Sequence, residues 1–400
     1  MTSLIATRAG RMASAPLHAL RLRGGRAEIY AQAGDIDPAF WAETFGDQPQ
    51  DFAYYQLLER TMASGYLYRY RLLVSPNDVP FALQPLFIVD QDLTISLGQA
   101  AAPLFRALRR FFPGLLRSRM LMAGCLVGKG HLGVAKHFER SDAAAALPEA
   151  LFKYADTEGI SFLTIKDFPA AYREELHPLL KAGFARLDGF PPLTMDLDFA
   201  SFEQYLAERV SRVTRKGLRR KFRHTALAAL ELTLEVHNDC RRFIDEIYPL
   251  YLAVAERSEV QFEVFTRDFL EASLTMPERC RFFIWRQGGQ AVAFSYCTVW
   301  GTTLFDHDIG LNYSVAHELN LHYVSFRDII EWTLQHGYRT FRCAPFNYDP
   351  KMHLRLALDP VNLYVRHRSA MINFLLCHFA PRFSPVRPDP VLRRHFPATP

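Results

Sequence analysis

Two aspartates one residue apart, Asp306 and Asp308, are the side chains with the strongest claim to chemistry. They fall in the β-branched and aromatic run Thr303 to Ile309, which reads as a strand. Regular alternation puts Leu304, Asp306 and Asp308 on one face and Phe305, His307 and Ile309 on the other. Two carboxylates side by side resist joint ionisation, so at least one keeps its proton to higher pH than usual. That is the property a general base for an amine needs near neutrality. The competing reading is a solvated strand end, since carboxylates on exposed strand faces are common.

The elements around this pair follow from local pattern. Gln287-Gly288-Gly289-Gln290 separates two strand-like runs and Trp300-Gly301 introduces the third, which gives three antiparallel strands. From Leu319 the apolar positions Tyr323, Phe326, Ile330 and Leu334 recur at helical spacing, and His336-Gly337 caps that helix before a strand over Arg339 to Ala344. The order is β-β-β-α-β. It occurs twice: Tyr154 to Phe168 repeats the helix, glycine, strand pattern, with Gly159 matching Gly337 and Gly133 matching Gly310. The chain reads as a tandem duplication. In that alignment Lys129 and His131 stand opposite Asp306 and Asp308, so His131 is the alternative base. A hairpin over Tyr66 to Val74 and Pro80 to Val89 opens the first copy, which carries about 34 extra residues before Gly133.

Those extra residues contain AAPLFRALRRFFPGLLRSRM. Leu104, Phe105, Leu108, Phe111, Phe112, Leu115 and Leu116 form one helical stripe with Arg106, Arg109, Arg110 and Arg117 mainly opposite. The stripe either packs on its domain or enters a membrane interface. A second basic stretch, Arg209 to Leu230, holds eight Lys and Arg and no acid. Leu93 to Phe138 likewise holds seven and none; the two carry +15 of a chain whose total is +5, leaving −10 elsewhere. Blocks of this kind face anions: lipid headgroups, phosphorylated donors or nucleic acid. The bland reading of the second block is a solvated linker helix.

With 49% hydrophobic and 22% charged residues the composition is that of a globular protein, long enough for two domains. No apolar run reaches a transmembrane length; Met371 to Ala380 reads as a packing or surface helix. Six cysteines without a Cys-x-x-Cys pair indicate neither a zinc site nor a disulfide framework, so no metal is expected and a reducing, cytoplasmic setting is. Residues 1 to 27, with five arginines and no acid, read as a disordered leader or a transit peptide. The expected domains are 28–199, with an amphipathic insertion near 98–122, and 200–370, opened by a basic connecting helix over 202–230. A C-terminal helix and Pro-rich tail over 371–400 follow.

A β-β-β-α-β core present twice and joined by SRVTRKGLRRKFR resembles the GCN5-related N-acetyltransferase (GNAT) superfamily in tandem form, in the branch of the Fem-type and BioF2-like transferases. The resemblance covers about Ile36 to Arg366. It implies an α/β (α+β) fold of two GNAT-like domains, each a mostly antiparallel mixed sheet flanked by helices. GCLVGKGHLG after a basic amphipathic segment further resembles bacterial ceramide synthases, with Lys129 where those relatives have an acid. The resemblance implies an N-acyltransferase that takes an acyl group from acyl-CoA or acyl carrier protein to a primary amine, such as that of a sphingoid base, on the inner face of a membrane with an anionic surface. It implies Asp306 or Asp308 as base, Tyr348 or Tyr323 as acid, and Arg215, Lys216, Arg219 and Asn320 toward the donor. The superfamily's glycine-containing phosphate turn is absent from Asn312 to Asn320, and Glu318 would repel a phosphate, so the basic helix is the expected anion holder. The alternatives are a Fem-type transferase using aminoacyl-tRNA, the one reading in which nucleic acid is a partner, and a non-catalytic membrane-surface module.

Overall fold

The computed structural model describes residues 14–92, 117–228, 232–258, 263–379 and 384–396. Its strands are β1 (His18–Leu22), β2 (Gly25–Tyr30), β3 (Tyr66–Val74), β4 (Pro80–Asp92), β5 (Arg117–Ala123), β6 (Gly133–Val134), β7 (Phe162–Pro169), β8 (Ala185–Asp188), β9 (Leu193–Asp196), β10 (Thr233–His237), β11 (Cys280–Gln287), β12 (Gln290–Trp300), β13 (Thr303–Leu311), β14 (Thr340–Cys343), β15 (Ala357–Leu358) and β16 (Val361–His367). Residues 1–190 with 360–400 form one compact unit and 191–359 the other. The apolar stripe Leu104 to Leu116 lies outside the described residues.

The first unit is built on the sheet β1-β2-β3-β4-β5-β7-β16-β8, with β6 pairing β4. All neighbours are antiparallel except β5 and β7. One face is covered by the helix Arg140–Thr157, which meets Ile29, Leu73, Leu86, Leu121, Leu163 and Ile165 through Leu147, Leu151 and Tyr154. Aromatic residues fill the other face, where Trp41, Tyr55 and Tyr70 pack at ring separations of 5.4–5.9 Å. Arg71 sits fully buried on the helix-covered side, and its guanidinium has no partner among the described residues.

Three sequence expectations change here. The leader is not unstructured over its second half: His18–Leu22 and Gly25–Tyr30 form an antiparallel hairpin that continues onto β3. Ala19-Leu20-Arg21-Leu22 alternates as a strand should, and Gly25 fits at φ +133° with the Val74 carbonyl where a Cβ would go. The domain boundary also differs, because Val361–His367 pairs β7 and β8 and so completes the first unit's sheet. Finally, the copies align differently. In the second unit β13 is antiparallel to β12 and parallel to β14; the strand with those relations in the first unit is β5, antiparallel to β4 and parallel to β7. Four parallel pairs end at Ala123 in one and Asp306 in the other. Ala123, not Lys129, is therefore the counterpart of Asp306.

The second unit is the sheet β10-β11-β12-β13-β14-β9-β15. The β-β-β-α-β order holds, with the helix over Leu321–Gln335. On one side the helix Ile244–Arg257 comes so close to β13 that a Cβ on Gly310 would lie 2.7 Å from the Tyr251 backbone nitrogen and 2.2 Å from the Phe294 ring. Only glycine permits that approach. On the other side Leu321–Gln335 packs through Val324, Ile329 and Ile330, with Phe326 against Phe341 at 5.7 Å. Among the described residues no helix is long and apolar enough to cross a membrane, and no group of three or more His, Cys, Asp or Glu could hold a metal.

Candidate active site

β13 loses its partner half-way along. Pairing with β14 ends at Asp306 and Cys343, and the Ala344 N–H closes it with a 3.0 Å bond to the Asp306 carbonyl. Asp308, Ile309, Gly310 and Leu311 continue as strand with β12 on one side only. An interior strand should be closed on both faces, yet Phe305 to Ile309 are all half-buried. Solvent reaches the middle of the sheet where β13 and β14 part.

A β-bulge decides how the aspartates present themselves. Tyr296 pairs with Asp308 and Cys297 with Asp306, so His307 is the extra residue between them. Cross-strand partners share a face and a bulge breaks the alternation. Asp306 therefore lies with Leu304, Ile309, Ser295 and Cys297, whereas Asp308 lies with Phe305, Tyr296 and Gly310. The expectation of one shared carboxylate face is overturned, because a period-two rule cannot foresee an inserted residue.

The environments differ accordingly. The Asp306 carboxylate accepts from the Ser295 hydroxyl, and the Cys297 thiol lies 3.6 Å away. Burial pushes Asp306 above its usual range, opposed by the Ser295 hydrogen bond and the Lys351 charge. Among the described residues no side chain or backbone group is hydrogen-bonded to the Asp308 carboxylate. Burial first, and the neighbouring Asp306 charge second, push it up to about 8, with Lys351 opposing. Raised pKa values were expected from mutual repulsion; desolvation is the larger cause. Around Asp308 stands an aromatic wall: Phe265 and Phe269 stack at 4.3 Å, Tyr296 meets them at 5.8 and 6.1 Å, and His307 stacks on Tyr296 at 5.3 Å. His307, bonded to Thr298 Oγ1 at 2.7 Å, is held neutral by burial at about 4.

Two further residues border the gap. Lys351, in the helix Tyr348–His353, donates to the Ala344 carbonyl at 2.7 Å and is the positive charge felt by both aspartates. His322, at the start of Leu321–Gln335, is kept neutral at about 4 by burial and by Lys351. Neither was legible in sequence, since they lie 16 and 45 residues beyond Asp306 with no motif linking them.

The other sequence candidates fall in several places. Tyr348 is buried and its hydroxyl donates to the Pro191 carbonyl at 3.1 Å, which commits its proton to packing. Tyr323 is half-buried with the Lys221 ammonium 4.5 Å above its ring. His131, in the first unit, is buried and held neutral at about 4. Its Nε2 lies 3.1 Å from the Thr44 carbonyl and its Nδ1 2.9 Å from the Tyr172 hydroxyl. A carbonyl only accepts, so Nε2 carries the proton and Nδ1 accepts from Tyr172. Both nitrogens are used, as in a structural histidine.

The basic helix, Arg212–Ala228, runs beside the start of Leu321–Gln335: Thr225 donates to the Leu319 carbonyl at 2.8 Å and Lys221 to Asn320 Oδ1 at 3.3 Å. Its charges are not all free. Arg215 donates to the Leu206 and Ala207 carbonyls and Arg219 pairs with Glu203 at 2.6 Å. Lys216, Arg220 and Arg223 are exposed. The Asn312 to Asn320 segment coils on itself: the N–H groups of Val315, Ala316, Leu319, Asn320 and Leu321 all donate to carbonyls within it. With those five donors consumed, the turn offers fewer N–H groups to a pyrophosphate than an open helix N-terminus would.

The family model described as "Acetyltransferase (GNAT) domain" matches residues 212–351, the span from the basic helix to Lys351. Among solved structures, FemX superposes with a TM-score of 0.51 at 10% identity, over 82% of this chain and 94% of that one. A tandem GNAT protein from the clavulanic acid biosynthesis pathway gives 0.51 at 11%, over 86% and 99%. No curated protein matches.

Proposed function

We propose that this tandem acyltransferase of the GNAT type is an N-acyltransferase that moves an acyl group from an acyl thioester, acyl-CoA or acyl carrier protein, to the primary amine of a long-chain base. The observation that carries the reading is Asp308: a carboxylate without a protein hydrogen-bond partner among the described residues, reachable by solvent, with its pKa pushed up to about 8, at the point where β13 and β14 separate. Asp308 takes a proton from the acceptor ammonium. The freed nitrogen attacks the thioester carbonyl carbon, a C–N bond forms and the C–S bond breaks. Backbone N–H groups of β13 beyond Asp306 face the developing oxyanion. Tyr323, whose proton, unlike that of Tyr348, is not committed to a buried carbonyl, gives a proton to the departing thiolate and is reprotonated by the second proton that the nitrogen sheds as the amide forms. Asp306 and Lys351 set the charge around the base.

The stretch that resembles bacterial ceramide synthases supports an acceptor with a long apolar chain over a small polar amine; the aromatic rings beside Asp308 are themselves buried and supply its desolvation. On the donor side, Lys216, Arg220 and Arg223 take the anionic end in place of the closed turn. The apolar and basic stretch Leu104 to Leu116 adds a route to an anionic membrane surface, without Arg117 and Arg119, which belong to β5. The test is purified protein with palmitoyl-CoA and sphinganine, product read by mass spectrometry, alongside lipid profiling of cells lacking the protein. An amide product lost on Asp308→Asn is expected. No N-acylation of any long-chain amine from CoA or carrier-protein thioesters, with transfer from aminoacyl-tRNA that falls steeply with salt, would replace this reading with the Fem-type one.

A further inference from the structure

The helix Ala370–Phe379 is inside out. Asn373 and Cys377, one turn apart, face the first unit: Asn373 Nδ2 and the Cys377 thiol reach the Gly183 carbonyl at 2.9 and 3.5 Å, and Asn373 Oδ1 accepts from the His367 N–H at 3.0 Å. The opposite arc is apolar except for exposed His378, which stacks on Phe374 at 4.0 Å. Met371, Leu375 and Phe379 stack along it at four-residue spacing, flanked by Phe374 and Ile372. They are 72%, 47%, 44%, 59% and 39% exposed, and no residue of this helix is fully buried. Five of the twelve large apolar side chains exposed among the described residues are thus gathered on one ten-residue helix, a clustering that soluble surfaces avoid.

Charge identifies what covers it. Exposed Lys181 and Arg186 flank Gly183, the anchor of Asn373, and exposed Arg368, two residues before the helix, is paired to Asp156 at 3.0 Å. From Arg366 to the C-terminus there are six arginines and one acid, Asp389. That acid is turned inward as a helix cap, accepting from the Val391 and Leu392 N–H groups. An outward apolar arc set among basic residues is complementary to the acyl–headgroup boundary of an anionic bilayer. We propose that the outward face of Ala370–Phe379 is a contact for an anionic lipid surface, with Met371, Phe374, Leu375 and Phe379 entering the boundary and the surrounding cations meeting the lipid phosphates. The site stands apart from the acyl-transfer reading, whose test uses dispersed substrate and no membrane.

The test is co-sedimentation of the full chain with extruded vesicles of phosphatidylcholine alone and with about 30 mol % phosphatidylglycerol. Roughly tenfold stronger partitioning onto the anionic vesicles is expected, weakening in high salt. The variant Met371→Ser/Phe374→Ser/Leu375→Ser should lose it roughly tenfold or more at an unchanged melting temperature, since these side chains are already in water. As an independent readout, Leu375→Trp should shift its emission to the blue with anionic vesicles only. Failure of the wild type to bind, or wild-type binding by the triple variant, would overturn the proposal. Loss on Phe111→Ser/Phe112→Ser/Leu115→Ser with retention in the helix variant would give the contact to the other stripe. A concentration-dependent dimer abolished by the triple variant, with vesicle binding unchanged, would give the face to a second copy of the chain.

Discussion

Replacing Asp308 with Asn tests the site from two directions, because the group argued to do the chemistry is also one the fold pays to keep. The carboxyl moves from an ordinary 3.8 to about 8. At about 1.4 kcal/mol per tenfold in acidity the ceiling is about 6 kcal/mol, which solvent reaching a half-buried group reduces to roughly 2–3. The sign follows from the raised folded value: the folded state holds the proton more tightly than the unfolded state. This contribution to stability is full below about pH 4 and is lost as pH rises to about 8. The asparagine side chain cannot ionise, so relative to wild type the variant should gain roughly 2–3 kcal/mol between pH 4.5 and pH 8.5. It should also lose about 10²–10⁴ in kcat/KM, and the wild-type acid limb, rising tenfold per pH unit toward pH 8, should disappear. Urea melts of both proteins at the two pH values and a pH–rate profile supply the measurements. Wild-type turnover from pH 6 to 9 in Asp308→Asn, or identical pH dependence of stability in the two proteins, would refute the assignment.

Other outcomes follow from the same geometry. Asp306→Asn removes the second cause of the Asp308 shift, so the acid limb of kcat/KM should move to lower pH; an unmoved limb would separate the two carboxylates. Reversing charge at Lys216, Arg220 and Arg223 should raise the donor KM roughly tenfold while stability changes by about 0.5 kcal/mol or less, whereas unchanged donor affinity would reduce the helix to a linker. His131→Gln should lower the melting temperature without changing the pH–rate profile, because its two hydrogen bonds join Thr44 and Tyr172; an altered profile would return it to the chemistry. Arg71→Met should be neutral or stabilising by about 1–4 kcal/mol, since it removes a buried cation without a partner among the described residues, and a lower melting temperature would point to a partner for that guanidinium.

Local pattern was enough for the second unit's β-β-β-α-β order, the hairpin at Gln287–Gln290, the helix ending at His336-Gly337 and the doubled architecture, because strand alternation, glycine turns and helical spacing are set by residues close in sequence. The aspartate pair was legible for the same reason. What each aspartate faces was not: a single unpaired residue, His307, turns Asp308 to the aromatic wall and leaves Asp306 with Ser295 and Cys297, and its insertion is fixed by the register with β12. The recruitment of Lys351 and His322, the loss of Arg215 and Arg219 to internal partners, the burial of Tyr348 and His131, and the closing of the first unit's sheet by Val361–His367 are likewise products of long-range pairing. Sequence determined which groups the chain carries. Only tertiary structure decided which of them lose water, and desolvation is what separates an ordinary carboxylate from one that holds its proton to about pH 8.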